Sequence, residues 1–428
     1  MHTWYEQAVF YHIYPLGLLG AEKTNTLRKT AHRLRDLETW IPHIRALNGS
    51  AIYIGPLFES STHGYDTRDF RLVDRRLGTN EDFAHFVQLC HENGIRVVVD
   101  GVFNHTGREF FAFQDIREKR EASPYKDWYR GVNFGWGSPL GDPFGYEAWQ
   151  GHFELPCLNL WNPDVRQYLF DSIRFWVDNF DIDGIRLDCA NVLDFGFMKE
   201  LREKTSAMKP DFWLMGEVIH GEYSRWVNPE MLHSVTNYEL HKALYSGHND
   251  HNYFEIAHNV RRLEAVGRSL YTFVDNHDED RIASKLNNLA NLFPVYQLLF
   301  TLPGIPSVYY GSEWGIEGKR SRTSDEVLRP ALNLSDMPGK APELASHIAA
   351  LGKIHTENDA FHNGSYKELL LTNRQYAFSR SGEHGTVISA VNNDEQPASI
   401  SIPLPCAASD VVSLLPGEIP FSLENGRL

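Results

Sequence analysis

The amino-acid sequence predicts an α/β protein built on a (β/α)8 barrel, with an inserted subdomain after the third strand and a C-terminal antiparallel β domain. Up to about residue 355, eight short apolar segments alternate with amphipathic helical segments, which is the pattern of such a barrel. A stretch of about 57 residues interrupts this alternation once, and short strands with turns replace it at the C-terminal end. We therefore predict barrel residues 1–105, an inserted subdomain 106–160, barrel residues 161–355 and a C-terminal β domain 356–428.

The barrel prediction depends on strand and helix periodicity. The eight predicted strands are 8–15, 51–56, 95–104, 184–190, 212–218, 234–240, 270–278 and 305–313. The first two helical segments have apolar side chains at helical spacing, namely Leu34, Leu37, Ile41 and Ile44, then Phe83, Phe86, Val87 and Cys90. The alternation of strands and helices alone also fits a doubly wound sheet. Against this alternative, no glycine-rich phosphate loop follows the first strand.

The interruption lies between the third strand and a helix that should begin at Asn162-Pro163. Its residues 129–153 read YRGVNFGWGSPLGDPFGYEAWQGHF, rich in glycine, proline and aromatic residues. Loops of this length are uncommon inside compact domains, so we expect a subdomain on one barrel face. The C-terminal strands are predicted in ELLLTN, YAFSRSG, TVISAVNN and ASISIPL.

Composition excludes several classes of partner. The formal net charge of -15 argues against nucleic acid and against anionic membranes as partners. No segment approaches the roughly 18 apolar residues of a membrane span, and MHTWYEQAVFYHIYP lacks the features of a signal peptide. The four cysteines show no metal-site spacing, so we expect reduced thiols and a cytoplasmic location, with the oligomeric state open.

Polar side chains stand at the carboxyl ends of four predicted strands. They are Asp100, Asn104 and His105 for the third strand, Arg186 and Asp188 for the fourth, Glu217 for the fifth, and Asp275, His277 and Asp278 for the seventh. Any one of them could be a solvated strand end or a buried ion pair. Four strands with this feature at the same barrel rim favour an active site, because barrel enzymes carry their active sites there.

The carboxylates in this set indicate the chemistry. Asp188, Glu217 and Asp278 should meet in one cleft, where like charges keep one carboxyl protonated. Arg186 lies two residues before Asp188, on the same strand face, and should keep Asp188 ionised as a nucleophile. Glu217 is then the acid, and one ionised with one protonated carboxyl is the arrangement that cleaves glycosidic bonds.

At these residues the sequence resembles the α-amylase family of glycoside hydrolases over nearly its whole length. The four main resembling stretches are DGVFNH at 100–105, GIRLDCANV at 184–192, GEV at 216–218 and FVDNHD at 273–278. Three further stretches are HGYDTRDF at 63–70, LPCLN at 155–159 and GIPSVYYGSEWG at 304–315. Seven such stretches in the family's order make chance agreement negligible.

The resemblance implies a role for each matching residue. Asp188 is implied as the nucleophile, Glu217 as the general acid and base, and Asp278 as the stabiliser of the transition state. The implied sugar-binding and supporting residues are Tyr65, Asp66, His105, Arg186 and His277. A retaining mechanism requires the Asp188 and Glu217 carboxyl groups to be about 5–5.5 Å apart.

Within the family, LPCLN is similar to the MPKLN form of oligo-1,6-glucosidases, neopullulanases and cyclomaltodextrinases. GIRLDCAN resembles the GWRLDVAN of neopullulanases and cyclomaltodextrinases, which often act inside cells on short maltodextrins. Val192 stands where many α-amylases have histidine, which leaves the balance of hydrolysis and glycosyl transfer open. The first strand begins near residue 8, without the N-terminal β domain of neopullulanases, so their dimer is not implied.

The resemblance implies no required cofactor, and it leaves calcium as a candidate. Asn104 matches the family's calcium-ligating asparagine, and Asp142 is one further oxygen ligand within reach of the insertion. A structural hydrogen bond that ties the insertion down is the alternative role for Asn104. Trp136, Trp149 and Trp161 are candidates either for stacking on sugar or for packing inside the insertion.

The expected function is a retaining hydrolase of α-1,4 bonds in maltodextrins or cyclodextrins, with α-1,6 bonds as further candidates, and an α-glucan oligosaccharide as the partner. A transglycosidase, or a sucrose- or trehalose-type enzyme, would use the same covalent intermediate with another acceptor. A non-catalytic binding subunit is disfavoured because Asp188, Glu217 and Asp278 are all present.

Overall fold

The computed structural model describes residues 3–26, 29–322, 324–337, 342–408, 410–417 and 420–428. Its central feature is a sheet of eight parallel strands. They are Phe10–Ile13, Ala51–Ile54, Arg96–Gly101, Gly184–Leu187, Trp213–Gly216, Ser234–Val235, Tyr271–Thr272 and Ile305–Tyr309. The first strand pairs with the second and the eighth, and a bridge between Thr236 and Tyr271 joins the sixth strand to the seventh. The predicted barrel is therefore confirmed.

Helices surround this sheet. They are Pro15–Leu18, Leu34–Leu37, Trp40–Ala46, Asn80–Glu92, Phe111–Lys119, Pro163–Phe180, Phe195–Met208, Tyr238–Asn249, Tyr253–Arg262, Ile282–Lys285, Leu292–Thr301 and Pro342–Glu357. The eight apolar residues that predicted the first two helical segments are all buried. The helix predicted to begin at Asn162 does so, because the Asn162 side chain accepts a hydrogen bond from the Asp164 amide at 2.8 Å.

All eight barrel strands are shorter than predicted, and the sixth and seventh, with two residues each, differ most. The sixth strand ends at Val235, since the Asn237 side chain accepts a hydrogen bond from the Leu240 amide and starts the helix Tyr238–Asn249. The seventh ends at Thr272, so the acids that follow it lie in the loop beyond. A two-stranded hairpin, Phe58–Ser60 with Thr67–Val73, follows the second barrel strand and was not predicted.

Aromatic side chains fill the inside of the barrel below its carboxyl-end rim. Phe10 and Trp213 stack at a ring distance of 4.9 Å, and Tyr53, Met215 and Tyr271 belong to the same buried cluster. Val98 of the third strand completes this layer. This packed floor excludes water beneath the polar residues of the rim.

The insertion contains the helix Phe111–Lys119 and a short hairpin of Ala148–Trp149 with His152–Pro156. Both of its ends are fixed beside the third barrel strand. The Leu158 amide donates to the Asn104 carbonyl at 2.9 Å, and His105 forms an antiparallel bridge with Cys157. The insertion thus leaves the barrel and returns to it at the same point of the rim.

The C-terminal domain has an antiparallel sheet of Ser365–Leu371, Gln375–Ser381 and Thr386–Asn392. The fourth strand predicted at 398–404 is wrong: this segment is irregular, with Pro403 bridged to Arg427. The sheet packs on the barrel helix Leu292–Thr301, where Arg380 donates to the Thr301 carbonyl at 3.1 Å. In the described part of the chain, no helix has the length and apolar character needed to cross a membrane.

Candidate active site

Arg186 lies at the centre of the site because of strand alternation. Its neighbours Ile185 and Leu187 belong to the hydrophobic core between the sheet and the helices. Side chains alternate between the two faces of a strand, so Arg186 points into the barrel. It is 3% exposed, and its guanidinium lies 5.8 Å from the ring centre of Tyr53.

Three carboxylates from three adjacent strands share this guanidinium. Arg186 Nη1 lies 2.9 Å from Asp100 Oδ1 and 2.9 Å from Asp188 Oδ1. Arg186 Nη2 lies 3.0 Å from Glu217 Oε1. Burial opposes the charge on Arg186, but Asp100 and Glu217 raise its pKa well above the usual value, so the guanidinium stays charged.

Glu217 has the properties of a general acid. Its Oε1 accepts from the Tyr238 hydroxyl at 3.3 Å, and its Oε2 accepts from the Cys189 amide at 3.2 Å. Burial raises the pKa of Glu217, and the charges of Asp188 and Asp278 add to the increase against the opposing effect of Arg186. Glu217 therefore holds its proton at pH values where an ordinary glutamate is ionised.

Asp188 follows the fourth strand and faces Glu217. Arg186 holds its Oδ1, and its Oδ2 lies 3.1 Å from the Cys189 thiol. One oxygen of Asp188 lies within 4.8 Å of one oxygen of Glu217. The two acids predicted to act together thus stand on opposite sides of a gap of a few ångströms.

Asp278 completes the acidic set from the loop after the seventh strand. Burial alone would raise its pKa, but His277 and Arg329 hold it well below its ordinary value. Arg329 Nη2 lies 2.7 Å from Asp278 Oδ1, and His277 Nε2 lies 3.1 Å from Asp278 Oδ2. With 42% of its side chain exposed, Asp278 is an ionised carboxylate open to the cleft.

The predicted sugar-binding residues surround these acids. The Tyr65 hydroxyl lies 2.6 Å from His277 Nε2 and donates to Asp100 Oδ2 at 3.2 Å. The rings of Tyr65 and His277 are stacked 5.7 Å apart. Asp66 accepts from the Thr62 amide at 3.0 Å and from its hydroxyl at 2.8 Å, which fixes the turn that carries Tyr65.

His105 lies at the junction of the third strand and the insertion. Its Nδ1 contacts the Asn104 side-chain amide at 3.1 Å, and its ring centre lies 5.9 Å from that of Trp149. Burial lowers the pKa of His105 although the charge of Asp188 acts in the opposite direction. His105 is therefore a neutral imidazole, able to donate or accept a hydrogen bond.

The structure adds five residues to the predicted site: Tyr53, Asp100, Cys189, Tyr238 and Arg329. Asp100 was noted at a strand end, but its role as a third partner of Arg186 was not predicted. Tyr238 is not predicted as a site residue because the sequence pattern of its segment predicts a strand. Arg329 follows the eighth strand in a stretch whose sequence gave no signal.

Asp142, predicted as a second oxygen ligand for calcium beside Asn104, has two cationic partners. Arg108 Nη2 lies 2.5 Å and Arg117 Nε 3.0 Å from Asp142 Oδ1, while Ser138 and Tyr146 donate to Oδ2. Two guanidinium groups around one carboxylate repel a divalent cation.

The three tryptophans of this region also have different environments. Trp136 and Trp161 are 63% and 74% exposed, so neither is core of the insertion. Trp149 is partly buried beside His105.

Comparisons with known proteins identify the family of this chain. Residues 24–341 match the alpha-amylase family in its description "Alpha amylase, catalytic domain". The maltogenic alpha-amylase of Bacillus acidopullulyticus is 30% identical over 456 residues, which cover 99% of this chain and 75% of that protein. The cyclomaltodextrinase of Thermoanaerobacter pseudethanolicus is 30% identical over 418 residues, which cover 92% of this chain and 71% of that protein.

The fold comparison gives the same result. The cyclic alpha-maltosyl-(1→6)-maltose hydrolase of Arthrobacter globiformis, solved in complex with maltose, superposes with a TM-score of 0.83 at 26% identity and covers 94% of each chain. The chain therefore belongs to the α-amylase family. It is a glycoside hydrolase, and the family prediction made from the seven sequence stretches is confirmed.

Proposed function

We propose that this protein hydrolyses α-1,4 bonds, and also α-1,6 bonds, of short maltodextrins or cyclodextrins with retention of configuration. The proposal rests on the carboxyl groups of Asp188 and Glu217, which follow adjacent barrel strands and both form ion pairs with Arg186. One oxygen of each lies within 4.8 Å of one oxygen of the other. That separation suits a retaining pair at about 5–5.5 Å and leaves too little room for the additional water of an inverting enzyme.

Asp188 is the proposed nucleophile. Arg186 neutralises charge at its Oδ1 and fixes the carboxylate plane, which leaves Oδ2 as the oxygen that attacks the sugar carbon. Attack forms a bond between Oδ2 and that carbon as the glycosidic bond breaks, giving a covalent glycosyl-enzyme. Water then cleaves this ester and restores Asp188.

Glu217 is the proposed acid and base. Its raised pKa keeps a proton available for the leaving oxygen, so the alcohol leaves neutral. Once ionised, Glu217 takes a proton from the water that attacks the glycosyl-enzyme. The ionised Asp278 stabilises the positive charge that develops on the sugar ring.

The remaining site residues are proposed to bind the sugar. Tyr65, stacked with His277, offers an aromatic face to the ring, and Asp66 fixes its loop. His105 and His277 provide imidazole nitrogens for sugar hydroxyl groups. None of these steps uses a metal ion or an organic cofactor.

The substrate class follows from the relatives. A maltogenic amylase and a cyclomaltodextrinase are similar to this chain over most of its length, and a fold relative is a hydrolase of a cyclic maltosyl-maltose. We also propose a cytoplasmic location, because Cys90, Cys157 and Cys189 are buried free thiols and reduced cysteines are typical of that compartment.

The stereochemistry of the first product tests the proposal. Proton NMR of β-cyclodextrin or maltotriose during hydrolysis should show the α-anomer of the new reducing end before mutarotation. Appearance of the β-anomer first would contradict a retaining mechanism. A product profile on maltoheptaose, pullulan, β-cyclodextrin and sucrose should show hydrolysis of the first three, and transfer products from sucrose would favour a glycosyl-transferring enzyme.

A further inference from the structure

Cys189 contacts both proposed catalytic carboxyl groups. Arg186 holds one oxygen of each, Asp188 Oδ1 and Glu217 Oε1. The second oxygen of each contacts Cys189: its Sγ lies 3.1 Å from Asp188 Oδ2, and its amide nitrogen lies 3.2 Å from Glu217 Oε2. Each carboxyl group is therefore held on one side by Arg186 and on the other by Cys189.

The backbone at Cys189 has an unusual conformation. Its φ of 50° and ψ of 40° lie in the left-handed region, which is uncommon for a residue with a Cβ atom. The conformation ends the fourth strand directly after Asp188 and begins the turn Ala190–Val192. In this left-handed conformation, Cys189 contacts Asp188 with its side chain and Glu217 with its backbone amide. Backbone of this kind persists where function requires it.

We propose that Cys189 is a positioning residue that sets the distance and orientation between the nucleophile and the acid. The inference rests on the proposed function, since it takes Asp188 as nucleophile and Glu217 as acid. Through the thiol, Cys189 orients the Asp188 oxygen that Arg186 leaves free. Through the amide, it orients the Glu217 oxygen on the same side.

A thiol suits this position because it is a weak donor. Burial and the charge of Asp188 raise the pKa of Cys189 well above its ordinary value, so the sulfur stays protonated. The S–H group can hold Oδ2 in the free enzyme and still release it when that oxygen bonds to the sugar carbon. A serine hydroxyl at this position would also donate to Oδ2 and orient the carboxylate.

Three variants test the inference: Cys189→Ala, Cys189→Ser and the matched control Cys90→Ala. Cys90 is also a buried thiol, but it lies in the helix Asn80–Glu92, which carries none of the proposed site residues. We expect kcat of Cys189→Ala on maltotriose to fall about tenfold while KM changes less than twofold, as for loss of one orienting hydrogen bond. Cys189→Ser should recover kcat to within about threefold of the parent, and Cys90→Ala should keep the parent kcat.

Thermal unfolding of each variant accompanies the kinetics. A folded Cys189→Ala variant with kcat within twofold of the parent would overturn the inference. So would a Cys189→Ser variant as slow as Cys189→Ala, because packing rather than hydrogen bonding would then explain the loss. The Asp188→Asn variant separates the two proposals: if it is inactive while Cys189→Ala is normal, only the positioning role fails, whereas an active Asp188→Asn contradicts the proposed function itself.

Discussion

The two ends of the fourth barrel strand each carry a buried aspartate, and the two are held differently. Asp183, before Gly184, receives His91 Nε2 at 2.7 Å and the Val97 amide at 2.9 Å on Oδ2, and Arg96 at 2.9 Å on Oδ1. Lys209 also lies 3.0 Å from Oδ1. Every oxygen of Asp183 is thus engaged by strong donors, which suits a structural ion pair.

Asp188, at the other end of the same strand, has one strong partner. Arg186 holds its Oδ1, but this guanidinium is shared with Asp100 and Glu217, and Oδ2 has the weak thiol donor of Cys189. A carboxylate oxygen that has only a weak donor keeps a lone pair available for bond formation. The comparison indicates that donors saturate the structural acid, while the reactive acid is held in place with one oxygen available.

The largest expected effect is the loss of turnover in Asp188→Asn. The amide keeps the shape of the side chain but cannot form the glycosyl-enzyme, so kcat/KM on maltotriose should fall by roughly four orders of magnitude or more. Asp183→Asn is the matched control from the same strand, and its folded fraction should keep the parent activity. Near-normal turnover in Asp188→Asn would contradict the assignment of Asp188 as the reactive acid and Asp183 as the structural acid.

The next effect concerns Glu217→Gln. Without the proton of Glu217, cleavage of maltotriose should slow by about 10²- to 10⁴-fold. Formation of the glycosyl-enzyme from α-maltosyl fluoride should be much less affected, because fluoride leaves without protonation. The exposed Glu222→Gln serves as control, and equal losses on both substrates would exclude Glu217 as the acid.

At the opposite end of the strand, Asp183→Asn should act on stability instead. Removing the charge leaves His91, Arg96 and Lys209 without their buried partner, which should lower the free energy of unfolding by about 3 kcal/mol. Urea denaturation followed by circular dichroism measures this. A variant as stable as the parent would show that the ion pair contributes nothing.

Acid pH should affect the same residue. Burial alone would raise the pKa of Asp183, but His91, Lys209 and the Val97 amide lower it to about 2. A depressed folded-state pKa gives stability that is present above the unfolded-state pKa of about 3.9 and is lost as the pH falls toward 2. The loss should be about 2 kcal/mol in the parent and absent in Asp183→Asn, measured by urea denaturation between pH 5 and pH 2.

The smallest predicted effect is in the pH profile of the parent. Since Glu217 acts while protonated and its pKa is raised above 4.5, activity should persist above that pH and fall as the pH rises through the raised pKa. Above the raised pKa of Glu217, kcat/KM should fall about tenfold for each further pH unit. A basic limb at or below pH 4.5 would contradict the raised pKa.

Much of the barrel and the three acids could be predicted from sequence, for one physical reason. Parallel strands that are buried on both faces tolerate charges only at their ends, so Arg186 with Asp188, Glu217 and Asp278 stand out against apolar runs. All the predicted site residues lie on or beside the carboxyl-end rim. Their catalytic and binding roles stay predictions until the variants are measured.

The residues that were missed depend on local hydrogen bonding that periodicity does not encode. The segment 234–240 has strand-like composition, but the Asn237 cap begins a helix at Tyr238 and directs that side chain toward Glu217. Arg329 reaches Asp278 from a loop about 50 residues further along the chain, a pairing that only the fold determines. The prediction of a fourth C-terminal strand is wrong because residues 402–404 pair with 426–428 rather than with the three-stranded sheet, and Pro403 has no N–H to donate to a ladder.

The attachment of the insertion has a consequence for how enzymes of this kind can diverge. Because the chain departs and rejoins beside the third strand, through Asn104 with Leu158 and His105 with Cys157, the insertion between them can change in length or be exchanged without disturbing the register of the barrel strands. One side of the cleft can therefore be remodelled for new sugars while the reacting groups stay where they are. Swapping 106–157 between relatives would be a direct route to altered selectivity.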